Sequence, residues 1–195
     1  MDAPDPFADG LPTLAADRLR LRPLGDADLP ALVAIFGDAD HLRYWSHGPL
    51  ADLDAAREYL GGITSGWRER AFFQWGIDVA ATRQLVGTVT LADWDRGNRR
   101  AEIGFILRPG VEGRGYATEA VRAALAFAFG PMGVHRVEAD VDPDNAASLR
   151  LLDRIGFRRE GLLRDRWFTF FGEWKDSLLL GLLADELLET SSARR

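Results

Sequence analysis

Cysteine is absent from the 195-residue chain, which excludes disulfides, thiolate metal sites and a cysteine nucleophile. Long hydrophobic runs are missing too. Stretches such as LLLGLLA at 178–184 fall far short of the roughly 20 residues a membrane helix needs. The opening MDAPDPFADGLPTLAAD holds no basic residue before Arg18 and no apolar segment, the reverse of a secretory signal, so the expected location is cytoplasmic. Excess positive charge is also lacking. At a formal net charge of −6, neither nucleic acid nor an anionic membrane is an expected partner, because both attract clustered Lys and Arg. Local basic runs such as RLRLR stay compatible with a phosphorylated small molecule. No GxSxG elbow, HExxH pair or repeat occurs, so acyl-enzyme and zinc-hydrolase chemistry have no foothold.

What the chain does have is apolar mass. Hydrophobic residues make up 47%, with six Trp and eleven Phe, enough for the core of one domain at this length. RLRLRPL at 18–24 alternates as a strand, and DADLPALVAIFGD at 26–38 offers an N-cap aspartate ahead of helically spaced apolar residues. HLRYWSHGPL at 41–50 reads as a loop or short helix carrying aromatics. The next helix, ADLDAAREYLGGITSGWRER, is weakened on paper by Gly61 and Gly62. FFQWGIDVA, QLVGTVTLADW and RAEIGFIL then form an antiparallel meander. GYATEAVRAALAFAFG is a helix ended by Gly130 and Pro131, HRVEADV a strand, NAASLRLLDRIGF a helix stopping at Gly156, and LLRDRWFTFF with WKDSLLLGLL a closing hairpin around Gly172. The order describes a mixed α/β (α+β) domain with a largely antiparallel central sheet of about seven strands and flanking helices. The expected organisation is a flexible acidic leader over 1–16, one domain over 17–186 and a flexible tail over 187–195.

The segment GVEGRGYATEA at 110–120 places two glycines either side of an arginine, just before a helix. Glycine lets backbone approach a ligand closely, and free amides at a helix start attract anions. A dinucleotide fold requires GxGxxG, and GRGYAT lacks the third glycine; a triphosphate loop requires GK followed by Ser or Thr. What is left is a strand, a loop whose consecutive amides can wrap a diphosphate, and a helix dipole with its positive end towards it. Taken alone, the same segment also reads as a plain turn.

The succession AEIGFILRPGVEGRGYATEA, then VEADVDPDNAASLRLLDRIGFRREG, then EGLLRDRWFTFFGEWKDSLLL resembles the GNAT superfamily of acyl-CoA-dependent N-acyltransferases. It resembles most the branch that includes the RimJ and RimL protein N-terminal acetyltransferases, over about residues 17–185. The resemblance implies a sheet with a splayed strand pair at the cofactor site. It implies that the amides of Glu112, Gly113, Arg114, Gly115, Tyr116 and Ala117 hold the pyrophosphate of acetyl-CoA, with Thr118 opening the helix. Backbone around Phe105, Ile106 and Leu107 pairs with the pantetheine arm. Asn145 hydrogen-bonds pantetheine or substrate, and Ser148 sits beside the thioester sulfur; read locally, the two are an N-cap and a first-turn residue. The family usually has Gln or Arg where this chain has Glu112, whose carboxylate can turn to solvent. Many members have a tyrosine acid where this chain has Leu152. Arg150 and Arg154 either reach a ribose phosphate or form a solvated helix face.

The chemistry expected is direct attack of a primary amine on the thioester within a ternary complex, the amine being a protein N-terminus or a small molecule. Glu102, in the strand leading to the loop, is the expected base, directly or through water; the competing reading is a surface glutamate or a partner for Arg99 or Arg100. Tyr44, Trp45, His47, Trp94 and Asp176 mark the acceptor region, acidic groups there favouring a cationic amine, while core packing competes for each aromatic. His41 and His47 lack a metal pattern, and no metal is expected. An inactive CoA-binding sensor of the same fold is the alternative to an enzyme, and a homodimer is compatible with the branch.

Overall fold

Alternation along the strands sorts side chains to the two faces of one sheet, and the computed structural model, which describes residues 5–45 and 47–187, builds eight strands among them. In chain order these are β1 (Leu14–Ala15), β2 (Leu19–Arg22), α1 (Leu29–Phe36), α2 (Leu53–Arg68), β3 (Phe72–Val79), β4 (Gln84–Asp95), β5 (Arg100–Leu107), α3 (Tyr116–Phe129), β6 (Arg136–Val141), α4 (Ala146–Ile155), β7 (Arg158–Phe168) and β8 (Trp174–Leu183). The spatial order is β1-β2-β3-β4-β5-β6-β8-β7. Every neighbouring pair is antiparallel except β5 and β6.

That parallel pair carries the main feature of the fold. β5 and β6 hydrogen-bond only over Arg100–Glu102 and Arg136–Glu138, although β5 continues to Leu107 and β6 to Val141. Past Glu102 they diverge and leave a slit in the sheet.

On one face, Val89, Leu91, Ala101, Ile103, Val137 and Ala139 form a core with Leu125 of α3 and Leu152 of α4. The other face receives Leu32 and Phe36 of α1 and Leu60 of α2, packed with Leu85 and Ile106. A three-layer arrangement results, with the sheet between two helix pairs.

Several expectations change. Residues 5–16 are no loose leader: Phe7 is buried and stacks on Phe73 at 3.9 Å between ring centroids, and Leu14–Ala15 adds the strand not expected from sequence. Residues 1–4 and the tail beyond Leu187 lie outside the described residues. α2 runs unbroken through Gly61 and Gly62, both solvent-facing, because the Asp52 side chain caps its first turn through Asp54 and Ala55 and the opposite face is buried at Ala56, Leu60 and Ile63. No side chain caps α1. Asp28, at its start, instead takes a two-pronged contact from Arg22 at 2.7 and 2.8 Å. β7 begins directly after α4, at Arg158.

Candidate active site

The loop between β5 and α3 is shaped by its glycines. Gly110, Gly113 and Gly115 have φ of +83°, +75° and +79°, the left-handed region that side-chain-bearing residues avoid. α3 starts at Tyr116 with no side chain capping it, so its opening amides are left to the cavity in front of them. Glu112 is exposed, as its turn to solvent requires, and its Oε2 accepts the Gly110 N–H at 2.8 Å, which ties the carboxylate to the loop's own backbone. The adjoining cavity has a volume of about 630 Å³.

Most of the expected cofactor residues line that cavity: Phe105, Ile106 and Leu107 from β5, Glu112, Gly113, Gly115, Tyr116, Ala117 and Thr118 from the loop and α3, and Asn145 and Ser148 from α4. Arg114 does not, because its carbonyl is turned back to Arg18. Asn145 is the N-cap of α4, its Oδ1 accepting the Ser148 N–H at 3.1 Å. Arg150 and Arg154 stand at the cavity wall, as does buried Leu152. His41 was not anticipated. Its Nε2 donates to the Leu107 carbonyl at 2.7 Å, tying the 41–45 turn to the end of β5.

A second cavity of about 290 Å³ lies on the other face of the slit and shares Arg43, Tyr44, Trp45, Ile103, Gly104, Asp140 and Asp142 with the first. Glu102, Tyr44, Trp45, His47 and Asp176 line it. Alternation explains Glu102: Ala101 and Ile103 enter the core, which turns Glu102 and Gly104 to the opposite side. Burial pushes the Glu102 carboxyl up to about 7, reinforced by the charges of Asp140, Asp93 and Glu138 and opposed by Arg166. Arg100 pairs with Glu138 rather than Glu102, and Arg99 Nε donates to the Gly133 carbonyl, so neither arginine is the partner of Glu102.

Asp140 is an acidic group that sequence reasoning missed, although HRVEADV alternates as clearly as the strand holding Glu102, and Asp142 beyond it also lines both cavities. With its side chain 3% exposed, Asp140 accepts hydrogen bonds from Arg166 Nε and Trp167 Nε1, both at 3.0 Å, and from the Ser177 hydroxyl. Asp176 accepts the Asp165 N–H at 2.9 Å, in the irregular stretch between Leu163 and Trp167 of β7. His47 is neutral by construction: Trp45 Nε1 donates to its Nε2 at 2.7 Å, its Nδ1 donates to the Gly48 carbonyl at 2.8 Å, and burial lowers its pKa. Trp94 lies elsewhere. β4 loses register between Ala92 and Asp95, with Asp93 at φ +50°, and this turns Trp94 onto Phe7 and Phe73 in the core.

An uncapped helix start facing one cavity, a carboxyl of raised pKa facing another, and a slit joining them can hold an anionic ligand and a cationic one end to end. Residues 18–158 match a family described as acetyltransferase (GNAT) domain. An uncharacterized N-acetyltransferase of Bacillus subtilis, YoaA, is 33% identical over 153 residues, covering 78% of this chain and 86% of its own. The [ribosomal protein uS5]-alanine N-acetyltransferase of Escherichia coli is 27% identical over 87% of this chain and 89% of its own. Among solved structures, Mycobacterium smegmatis RimJ in complex with CoA-disulfide superimposes with a TM-score of 0.84 at 25% identity, covering 94% of each chain.

Proposed function

The chain belongs to the GNAT acetyltransferase family, on its RimJ/RimL-like side, and from that premise we propose that it moves an acetyl group from acetyl-CoA to a primary amine, by direct attack in a ternary complex. The observation that carries the reading is the slit between β5 and β6, where a cavity in front of an uncapped helix start meets a cavity holding Glu102. The residues fit a CoA ester: Gly113 has open space where a Cβ would stand, and the first amides of α3 have no side-chain partner. The amides of Gly113 and of residues 115–117 bind the diphosphate, and β5 from Phe105 to Leu107 lies along the pantetheine arm. The bound thioester supplies the acyl group.

The acceptor amine must shed a proton. At pH 7 that costs about 4.6 kcal/mol for an amine of pKa about 10.4, but only about 1 kcal/mol for a protein α-amine near 7.7–8.0. A carboxyl held at about 7 is matched to the second task, and Glu102 takes the proton directly or through water. Asp140 and Asp176 add negative charge around a cationic acceptor. At the far side of the slit, Ser148 and the opening turn of α4 face the departing sulfur. Leu152 offers no proton, and a thiol of pKa near 8.5 needs only modest help to leave. These features support an α-amine of a polypeptide as the preferred acceptor.

The test is release of free thiol from acetyl-CoA in the presence of peptides with free N-termini, lysine-blocked peptides and spermidine. Acceptor-dependent release, fastest with peptide α-amines, is expected. Binding of CoA without release for any amine would make the protein a sensor instead. Pairing of two copies belongs to the same reading, through the exposed β7–β8 hairpin.

A further inference from the structure

Arg18, just before β2, touches the diphosphate loop from behind. Its Nη1 donates to the Arg114 carbonyl at 3.0 Å across 96 residues of sequence. Its backbone N–H and its Nε donate to the two carboxylate oxygens of Glu119 at 2.6 and 2.8 Å. The guanidinium lies 5.1 Å from the Tyr116 ring centroid, and a Cβ on Gly115 would stand 3.3 Å from its Nη2. One side chain therefore meets residues 114, 115, 116 and 119 without lining the cavity itself.

A trans peptide is planar, so its C=O and the following N–H point in opposite directions. The Arg114 carbonyl is drawn outward to Arg18, and the Gly115 N–H in the same plane must point the other way, towards the cavity that Gly115 lines. Gly115 is otherwise free to rotate, having no side chain to hold its plane. Glu119 adds a second reason for the arginine. It lies in the first turn of α3, where an unpaired carboxylate would oppose an anion at the helix start, and the Arg18 contact offsets that charge. The Arg18 main chain is itself anchored, its carbonyl accepting the Ala80 N–H at 2.9 Å.

We infer that Arg18 is a positioning residue for the acyl donor, aiming the Gly115 amide and neutralising Glu119 so that the loop accepts a diphosphate. The inference rests on the reading that this cavity takes a CoA ester. The side chain is 53% exposed, and an ion pair at such a site contributes little to stability, so the effect belongs to ligand affinity.

The experiment compares wild type, Arg18→Ala and Arg18→Lys with two donors, acetyl-CoA and S-acetylpantetheine, the latter lacking the diphosphate. CoA affinity is measured by calorimetry, and folding by circular dichroism and thermal unfolding. Arg18→Ala is expected to weaken CoA binding and raise the KM for acetyl-CoA about tenfold, the scale of one lost charge-assisted contact. Its kcat at saturating acetyl-CoA and its KM for S-acetylpantetheine should stay where they were. Arg18→Lys keeps a charge for Glu119 but has no fork to reach the Arg114 carbonyl as well, so it should recover only part of the affinity. Unchanged CoA affinity in a folded Arg18→Ala protein, or an equal loss with both donors, would overturn the inference. Wild-type protein that gives no heat with CoA would remove the cavity reading itself, and the clamp with it.

Discussion

Glu102 shows what one residue at the slit costs the protein. Its ordinary value of 4.5 rises to about 7 in the fold, first through burial and then through Asp140, Asp93 and Glu138. Between those two values the folded chain keeps a proton that the unfolded chain has released, so its contribution to stability falls as pH rises from about 4.5 through about 7. Glu102→Gln is therefore expected to melt higher than wild type at pH 8, with the difference vanishing near pH 4, while turnover drops. Thermal unfolding across a pH series checks this, and a gap that does not narrow in acid would contradict it. The position of Glu102 was legible in sequence, since alternation in AEIGF separates it from Ile103. Its titration was not, because Asp93 and Asp140 arrive from β4 and β6. His47 teaches the converse: nothing local signals that Trp45 and Gly48 bond both its ring nitrogens.

Elements set by their own residues were the readable ones. The loop before α3 declares itself because each left-handed turn needs a glycine where the turn occurs, and α4 does so through Asn145 at its start and Gly156, at φ +118°, at its end. Elements set by distant contacts were not. The segment around Phe7 looks acidic and loose, yet its ring packs among Phe73, Trp94 and Phe127, partners that sequence order does not reveal. Phe7→Ala should cost about 3–5 kcal/mol, the range for truncating a buried aromatic, measured as a shift in denaturant midpoint. An unchanged midpoint would return residues 5–16 to the status of a loose leader. Trp94 failed for a related reason: strict alternation carries Ala92 and Trp94 to one face, and the irregularity between Ala92 and Asp95 reverses it.

Across the whole molecule, exposed apolar surface is unevenly distributed. Leu162, Trp167, Phe168, Phe170, Phe171 and Trp174 all stand exposed on the β7–β8 hairpin, and Leu53 is the one other large hydrophobic so exposed among the described residues. β7 is also an outer strand of the sheet, with unpaired backbone groups along one side. A patch of this kind suits an interaction surface, and under the proposed pairing of two copies the joint Phe171→Ser and Trp174→Ser substitutions are expected to shift sedimentation velocity from dimer to monomer. Wild-type protein that sediments as a monomer at high concentration would dismiss the pairing. The parted strands have an effect at this scale as well. The two chambers share Tyr44, Trp45, Ile103 and Asp140 as a common wall along the slit, so a guest in one stands against the boundary of the other.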